Sequence, residues 1–248
     1  MSFQDHFSSQ AKTYAAARPT YPKALFRALA DRCARHALAW DAGAGNGQAS
    51  VALADHFARV VATEPSEAQI AAATPHPRVE YVRAAETAPL LPDASVDLVT
   101  VAQAVHWFDR SKFYAEVRRV LAPGGAVALW AYGLAGITPE IDAAVLRFYR
   151  GPIDRYWPPE RSHIENGYRS IEFPFTELEF PQATMELNWT LEQFLAYLRS
   201  WSAVEKFRKE RGFDPLVELR AELSPRWGDD ARRISWPLLG RIGRIGTL

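Results

Sequence analysis

A glycine-rich turn flanked by acidic residues is the feature of this sequence that most directly suggests chemistry. The stretch DAGAGNGQ, residues 41–48, follows a short apolar run and precedes ASVALADHF, which has the composition of a helix. Glycines at a strand-to-helix turn let the backbone approach a ligand closely. A second acid, Glu64, ends the apolar run RVVATE. A carboxylate at that place can accept hydrogen bonds from both hydroxyls of a ribose.

The glycine spacing distinguishes between two kinds of nucleotide ligand. In the dinucleotide fingerprint G-x-G-x-x-G, the third glycine would fall at Gln48, so the pattern fails. Asp41 stands two residues before Gly43, and its carboxylate would repel a pyrophosphate bound at the helix N-terminus. We therefore expect the two acids and the turn through Gly45 to bind a nucleoside with a positively charged or amino-bearing tail and no phosphate.

Alternating strands and helices must position these residues. The apolar strand runs HALAW, RVVATE, RVEYVRA, SVDLVTVAQ and GAVALWAY alternate with helical segments over the first 132 residues. Ser66 is the expected N-cap of the helix SEAQIAAA. This alternation predicts an α/β, Rossmann-like, doubly wound sheet that is mostly parallel and covered by helices on both faces.

The pattern changes after residue 132, although we expect one domain over 1–248. We assign residues 1–35 to an N-terminal lid and first helix, 36–132 to a cofactor-binding core, and 133–248 to an acceptor-side insert with the last strands. In the insert, PEIDAAVLRFYR, LEQFLAYLRSWSAVEKFRKE and PLVELRAELSPRW are expected helices. ELEFPQATMELNW is one strand or a hairpin interrupted by Pro181, and ARRISWPLL is a late strand.

Composition narrows the partners. The 248 residues carry 29 basic and 29 acidic side chains, so no net field favours nucleic acid or a membrane. Neither a membrane-spanning stretch nor a leader is expected, and the single Cys33 excludes an internal disulfide. The six His are scattered without ligand spacing, so we expect no metal site. These features favour a cytoplasmic protein acting on a small molecule, and they leave the oligomeric state open.

An ordered set of motifs resembles the class I S-adenosylmethionine-dependent methyltransferases. After the glycine turn come RAAETAPLLPDASVDLV, then AQAVHWF, then EVRRVLAPGGAVAL, in that family's order. YAAARPTYP, HWF and RISWPLLGRIGR also resemble its small-molecule branch, which includes trans-aconitate methyltransferase. The resemblance covers residues 14–132 well and the remainder loosely. It implies a seven-stranded sheet with a helical lid, and S-adenosylmethionine as cofactor.

The resemblance assigns cofactor contacts to the strand ends. It implies that Gly43 and Gly45 admit the amino acid end of the cofactor, that Asp41 holds its methionine portion, and that Glu64 binds the ribose. Relatives commonly carry Asp where this chain has Ala84, which leaves adenine recognition to the Ala85 backbone or Glu86. Gln103 would lie under the cofactor, or else cap the fourth strand.

The remaining candidates lie on either side of the cofactor. Tyr14 and Arg18 belong to a segment that relatives fold over the site, where they would contact the cofactor; a core Tyr and a surface ion pair are the alternatives. His106 and Trp107 follow the fourth strand and are the candidate catalytic residues, although a structural His and a packed Trp are common. Four aromatic residues of the insert could wall an apolar pocket, but packing is the better interpretation of each: Tyr149, Tyr156, Trp157 and Trp201.

The expected reaction is methylation of a small molecule, and O-methylation of a carboxylic acid is the favoured form. A carboxylate is already ionised at neutral pH and needs no base, whereas a hydroxyl acceptor would need His106 as general base. N- or C-methylation of another small acceptor stays open, as does a regulatory module that binds the cofactor without turnover. AQAVHW replaces the Asn/Asp-Pro-Pro-aromatic run of enzymes that methylate nucleic acid, which disfavours that acceptor.

Overall fold

Five parallel strands from the first half of the chain form the centre of the sheet. The computed structural model describes residues 19–246. The strands are β1 Leu38–Ala42, β2 Arg59–Glu64, β3 Val79–Arg83, β4 Val96–Ala102 and β5 Leu121–Tyr132. They lie side by side in the order β3, β2, β1, β4, β5. The inner strands are buried at nearly every position, as expected for a parallel sheet covered on both faces, while β3 at the edge is half-buried.

Short helices connect these strands, and local signals set where they begin. They are α1 Lys23–Ala30, α2 Gln48–Leu53, α3 Glu67–Ala71 and α4 Arg110–Val120. The Ser66 hydroxyl accepts a hydrogen bond from the Gln69 N–H at the start of α3, which confirms the expected N-cap. Asp109 caps α4 in the same way, through the Lys112 N–H. The predicted α/β architecture is confirmed over this half.

The last strands correct two details of the sequence interpretation. β6 Thr176–Leu178 and β7 Thr184–Trp189 are separate strands, so ELEFPQATMELNW is neither one strand nor a hairpin. Both pair antiparallel with the long β8 Arg232–Arg244, at opposite ends of it, and β8 pairs antiparallel with β5. The sheet therefore has eight strands, and β8 extends further than ARRISWPLL predicted. Prediction failed here because strand partners more than 40 residues apart leave no local signal.

Five helices of the second half supply the predicted helical insert. They are α5 Pro139–Arg150, α6 Arg161–Glu165, α7 Leu191–Arg199, α8 Ser202–Arg211 and α9 Leu216–Trp227. Thr138 caps α5 with Pro139 in the first turn, and Thr190 forms a capping box with Gln193 at α7. α9 packs against both α5 and α7, so these three helices form one group on the sheet.

Two buried apolar clusters lie on the two faces of the sheet. One contains Trp40 and Phe113, and the other contains Phe26 and Trp130 together with most of the insert. The short α6 also contacts a 3-10 helix at Val105–Trp107, which directly follows β4. The insert thus reaches the edge of the sheet where β1, β2 and β4 end. This is the edge at which open α/β sheets bind ligands.

Candidate functional site

The glycine turn after β1 is tied to the end of β2 by backbone hydrogen bonds. The Gly43 and Ala44 N–H groups both donate to the Thr63 carbonyl, at 2.8 and 3.0 Å. The Gly45 N–H donates to the Glu64 carboxylate at 2.9 Å. The predicted turn and the predicted acid are therefore brought together, and the turn conformation depends on the acid.

Glu64 is nearly buried, and both of its carboxylate oxygens accept backbone hydrogen bonds. Oε2 accepts from Gly45 and Oε1 accepts from the Ser66 N–H, each at 2.9 Å. Its relative exposure is 7%. These contacts hold the carboxylate in one orientation at the end of β2.

Asp41 lies beneath the turn. Its side chain is 1% exposed, and its oxygens accept hydrogen bonds from the Ser50 hydroxyl at 2.6 Å and the Thr100 hydroxyl at 2.8 Å. Burial, aided by the nearby charge of Glu64, raises the pKa of the Asp41 carboxyl to about 6, against the lowering effect of these hydrogen bonds. The carboxylate thus brings negative charge close below the turn without lying at its surface.

The two glycines of the turn meet different surroundings. Both have positive φ, +68° at Gly43 and +56° at Gly45, which favours glycine. A Cβ at Gly43 would lie 2.7 Å from the Ala104 Cβ, so packing against the segment after β4 requires this glycine. A Cβ at Gly45 would meet no atom of residues 19–246 within 4 Å. The described residues therefore leave open space beside Gly45, whose N–H donates to Glu64.

Three further candidates follow the ends of β3 and β4. Ala85 follows β3; its carbonyl accepts a hydrogen bond from the Thr63 hydroxyl at 3.4 Å, and its N–H has no hydrogen bond within residues 19–246. Glu86 is half-buried. Gln103 directly follows β4, and its φ of +58° is a strained value for a residue with a side chain. Its side-chain amide donates to the Tyr132 carbonyl at 3.2 Å.

His106 lies in the 3-10 helix after β4 and is 5% exposed. Its Nδ1 is 3.2 Å from the Tyr168 hydroxyl, and the two groups share a hydrogen bond. Burial, with the positive charges of Arg161 and His163, lowers the pKa of His106 to about 3. The imidazole is therefore neutral at physiological pH, and it is a weak base.

Trp107 is 37% exposed and forms one wall of a cleft of about 380 Å³. The other lining residues come from the insert: Arg155, Tyr156, Trp157, Pro158, Pro159, Glu160 and Lys206. Of the two candidate catalytic residues, Trp107 therefore lines the cleft, whereas the buried His106 precedes it in sequence and is not among the lining residues.

The four aromatic residues singled out in the insert mainly pack. Tyr149, Tyr156 and Trp201 are buried. Tyr149, Trp157 and Trp201 contact one another with ring centroids 5.1–5.9 Å apart. Tyr156 and Trp157 also line the cleft beside Trp107. Tyr156 and Trp157 therefore both pack against neighbouring rings and form part of the cleft wall.

Several residues of the site were not predicted from the sequence. Four such residues contact or influence the candidates: Ser50, Thr100, Arg161 and Tyr168. Ser50 is nine residues from Asp41, whereas the other three are more than 50 residues from the candidates that they affect. Tyr168 does carry a structural signal, φ +64° at a fully buried position. Two predicted cofactor contacts cannot be placed because they precede residue 19: Tyr14 and Arg18.

Two further searches covered residues 19–246. No three His, Cys, Asp or Glu side chains in this range lie close enough together to hold a metal ion. Likewise, none of the helices described here combines the length and the apolar character needed to cross a membrane.

Comparison with known proteins identifies the family. Residues 40–129 match the family described as Methyltransferase domain. A candidate methyltransferase of Dictyostelium discoideum is 38% identical over 89% of this chain and 86% of its own length. Methyltransferase cfoB of Aspergillus candidus is 32% identical over 73% of this chain and 64% of its own.

Solved structures agree. A candidate type II methyltransferase from Anaeromyxobacter dehalogenans is 48% identical, with a TM-score of 0.87 over 93% of this chain and 99% of that one. The cyclase SpnF, at 15% identity and a TM-score of 0.51, shares the fold alone. With the motif order and the site geometry, the relatives show that this chain belongs to the class I S-adenosylmethionine-dependent methyltransferases.

Proposed function

We propose that this protein binds S-adenosylmethionine at the turn above Gly45 and methylates a carboxylate oxygen of a small acid. The observation that carries the choice of acceptor is the buried, neutral His106 beside the cleft. The branch that includes trans-aconitate methyltransferase, which the motifs resemble, is part of the same proposal.

The residues of the turn suit this cofactor. Among residues 19–246, the space beside Gly45 is open to a ligand. The Glu64 carboxylate accepts a hydrogen bond from the Gly45 N–H, and a carboxylate at the end of β2 suits the hydroxyls of a ribose. The Ala85 N–H, which donates no hydrogen bond within residues 19–246, suits an acceptor nitrogen of adenine. The negative charges of Asp41 and Glu64 favour an ammonium-bearing tail and disfavour a phosphate. When bound, S-adenosylmethionine supplies a methyl group activated by the positive charge on its sulfur.

His106 favours an acceptor that is already ionised. With a pKa of about 3, its imidazole is too weak a base to deprotonate a phenol or an alcohol efficiently. A carboxylate needs no base at neutral pH. His106, held by Tyr168, and the adjacent Trp107 would then orient the carboxylate oxygen toward the methyl group, and the insert would exclude water.

The donor side is tested by calorimetry with S-adenosylmethionine and with its demethylated product. We expect both to bind, and we expect NADH to compete with neither. Because a cyclase shares this fold, binding alone does not establish turnover. Displacement of the methyl donor by NADH would contradict the proposed ligand class.

The acceptor side is tested by transfer of labelled methyl from S-adenosylmethionine to a panel of small carboxylic acids, phenols and amines. We expect methyl esters from acids, at a rate that stays flat between pH 6 and 9. The variant His106→Gln is expected to slow the reaction and leave the pH profile unchanged. A rate that follows the titration of a histidine, or turnover of phenols or amines alone, would contradict O-methylation of an acid. Binding without any turnover would favour the regulatory module.

A further inference from the structure

Arg161 is the residue whose environment points beyond the features described so far. It is the first residue of α6, and its guanidinium carbon lies 4.8 Å from the ring centroid of Trp157 and 5.7 Å from that of Tyr149. Its Nε donates a hydrogen bond to the Tyr149 hydroxyl at 3.0 Å. Two aromatic rings and one hydroxyl thus hold the guanidinium in a defined orientation.

The positive charge of Arg161 lacks a direct acidic partner in the described part of the chain. The nearest carboxylate in its hydrogen-bond chain is Glu165, which accepts from the Tyr149 hydroxyl at 2.7 Å and from Arg150 at 2.6 Å. Within residues 19–246, no carboxylate lies within 4.0 Å of the Arg161 nitrogens, and its terminal nitrogens donate no hydrogen bond. Arg155, which lines the cleft beside Trp107, differs from Arg161 because it forms an ion pair with Glu210.

A second unused donor lies against the same guanidinium. The indole N–H of Trp157 is buried and has no hydrogen-bond partner in the part of the chain that is described. Trp157 lines the cleft that Trp107 also lines. Leaving both a half-buried cation and a buried N–H without acceptors costs free energy, which a bound anion would offset.

The position of Arg161 connects these donors to the candidate catalytic residues. α6 contacts the 3-10 helix that carries His106 and Trp107. The cleft also contains one further cation and one acid, Lys206 and Glu160, whose charges oppose each other. Arg161 does not itself line the cleft, but it follows Glu160 and its guanidinium lies over the ring of Trp157, and both of these residues line it. Its charge also acts on His106. An anion bound against Trp157 would therefore lie next to the guanidinium and close to the proposed methylation site.

We infer that Arg161, with the indole of Trp157, binds the carboxylate of the acceptor and determines the specificity for acids. This inference rests on the proposed function and deepens it. A planar guanidinium recognises a carboxylate by parallel hydrogen bonds, and its aromatic neighbours restrict it before the ligand arrives. Arg161 acts on binding and orientation of the acceptor, and the methyl group does not pass through it.

The inference is tested with benzoate as the probe, because it joins a carboxylate to an aromatic body that suits the cleft. Binding of benzoate and of the neutral benzamide is measured by calorimetry on the full chain loaded with the demethylated cofactor product. The variants are Arg161→Met, which keeps an apolar stem, Arg161→Lys, which keeps the charge, and Arg118→Met as the matched control. The guanidinium carbon of Arg118 lies 5.5 Å from the ring centroid of Phe175, and Arg118 donates to the Pro174 carbonyl, but it is not among the residues that line the cleft.

We expect Arg161→Met to weaken benzoate binding about 10- to 100-fold, with Arg161→Lys between it and the unmodified protein. Benzamide binding should stay within about twofold in every variant, and Arg118→Met should retain benzoate affinity. In turnover assays with the best acid of the panel, Arg161→Met should raise KM more than it lowers kcat. Thermal unfolding identifies any variant that fails to fold.

Three outcomes would overturn the inference: equal benzoate affinity in Arg161→Met and the unmodified protein, equal losses in the two Met variants, or no measurable benzoate binding. Failure of the proposed function is distinguishable, because it appears as absent donor binding or absent methyl esters in the unmodified protein. Acid turnover that is insensitive to Arg161→Met would leave the proposed function standing and reject Arg161 alone.

Discussion

The cofactor side and the acceptor side of this molecule satisfy their polar groups differently. On the cofactor side, the buried carboxylates of Asp41 and Glu64 each accept two hydrogen bonds from neighbouring strands and turns. On the acceptor side, the Trp157 N–H and the Arg161 terminal nitrogens have no acceptor within the described residues. The carboxylates of Asp41 and Glu64 thus have hydrogen-bond donors within the protein, whereas the donors of Trp157 and Arg161 remain for a bound methyl acceptor.

The largest effect is expected from Glu64→Gln, which tests whether the cofactor side depends on one carboxylate. Glutamine keeps the shape but loses the charge that both backbone N–H groups and a ribose would use. We expect affinity for S-adenosylmethionine to fall about 100-fold, or ~2.7 kcal/mol, in calorimetry.

Glu67→Gln is the matched control for Glu64→Gln. Glu67 stands three positions further on, is exposed, and pairs only with Arg83. Unchanged affinity in Glu64→Gln, or an equal loss in Glu67→Gln, would remove the basis for a ribose contact at Glu64.

Asp41→Asn tests whether the cofactor side retains an unfavourable charge. The raised pKa means that the folded protein binds this proton more tightly than the unfolded chain does. Ionisation of Asp41 therefore lowers the free energy of unfolding as the pH rises from about 4, and the loss is complete above about pH 6. A shift of about two units corresponds to ~3 kcal/mol, from which a lost hydrogen bond subtracts ~1 kcal/mol.

Urea unfolding of both proteins between pH 4 and 8 measures this prediction. We expect the free energy of unfolding of Asp41→Asn to exceed that of the unmodified protein by ~2 kcal/mol at pH 8. Toward pH 4, where Asp41 is protonated, the advantage should disappear and give way to a deficit of ~1 kcal/mol from the lost hydrogen bond. A difference that does not vary with pH would show that the buried charge carries no such cost.

Gly45→Ala separates backbone strain from loss of ligand space. A side chain at φ +56° costs about 1 kcal/mol of stability, and its Cβ would enter the open space beside Glu64. We expect affinity for S-adenosylmethionine to fall about 10-fold in addition to the stability loss.

Gly212→Ala offers a closely matched control, because Gly212 also has positive φ, +77°, with no atom within 4 Å of its Cβ position, and it ends α8. It should lose similar stability and no cofactor affinity. If the two variants bind the cofactor equally well, the space above Gly45 is not the ligand site.

Tyr168→Phe tests the acceptor side and has the smallest expected effect. Loss of the hydroxyl leaves His106 Nδ1 without its partner, so we expect kcat to fall by about threefold to tenfold while cofactor affinity stays constant. Tyr114→Phe is the control, since that buried tyrosine donates to the Glu172 carbonyl at 2.7 Å on another part of the sheet face. Both variants should lose about 1 kcal/mol of stability. Equal kcat values in both would deny Tyr168 a positioning role.

The cofactor side could be predicted because its signals are local. The glycine turn, the acid that ends β2 and the Ser66 cap all lie within 26 residues, and apolar runs identify the strands that bring them together. The Asp41 side chain was predicted as an acid beside the ligand, but its burial beneath the turn depends on hydroxyls from α2 and β4 that no spacing rule connects to it.

The sequence by itself determined the alternation of strands and helices, the ligand class excluded by an acid before the glycine turn, and the positions of Glu64 and His106 at strand ends. Hydrophobic period and turn chemistry act over a few residues, so they can be read along the chain. Only the tertiary structure decided that β6 and β7 pair with opposite ends of β8 and that Tyr168 meets His106. It also placed Arg161 against Trp157 and Tyr149, with no acid partner among residues 19–246. These contacts depend on packing between segments far apart in sequence, and such packing is determined by the whole fold.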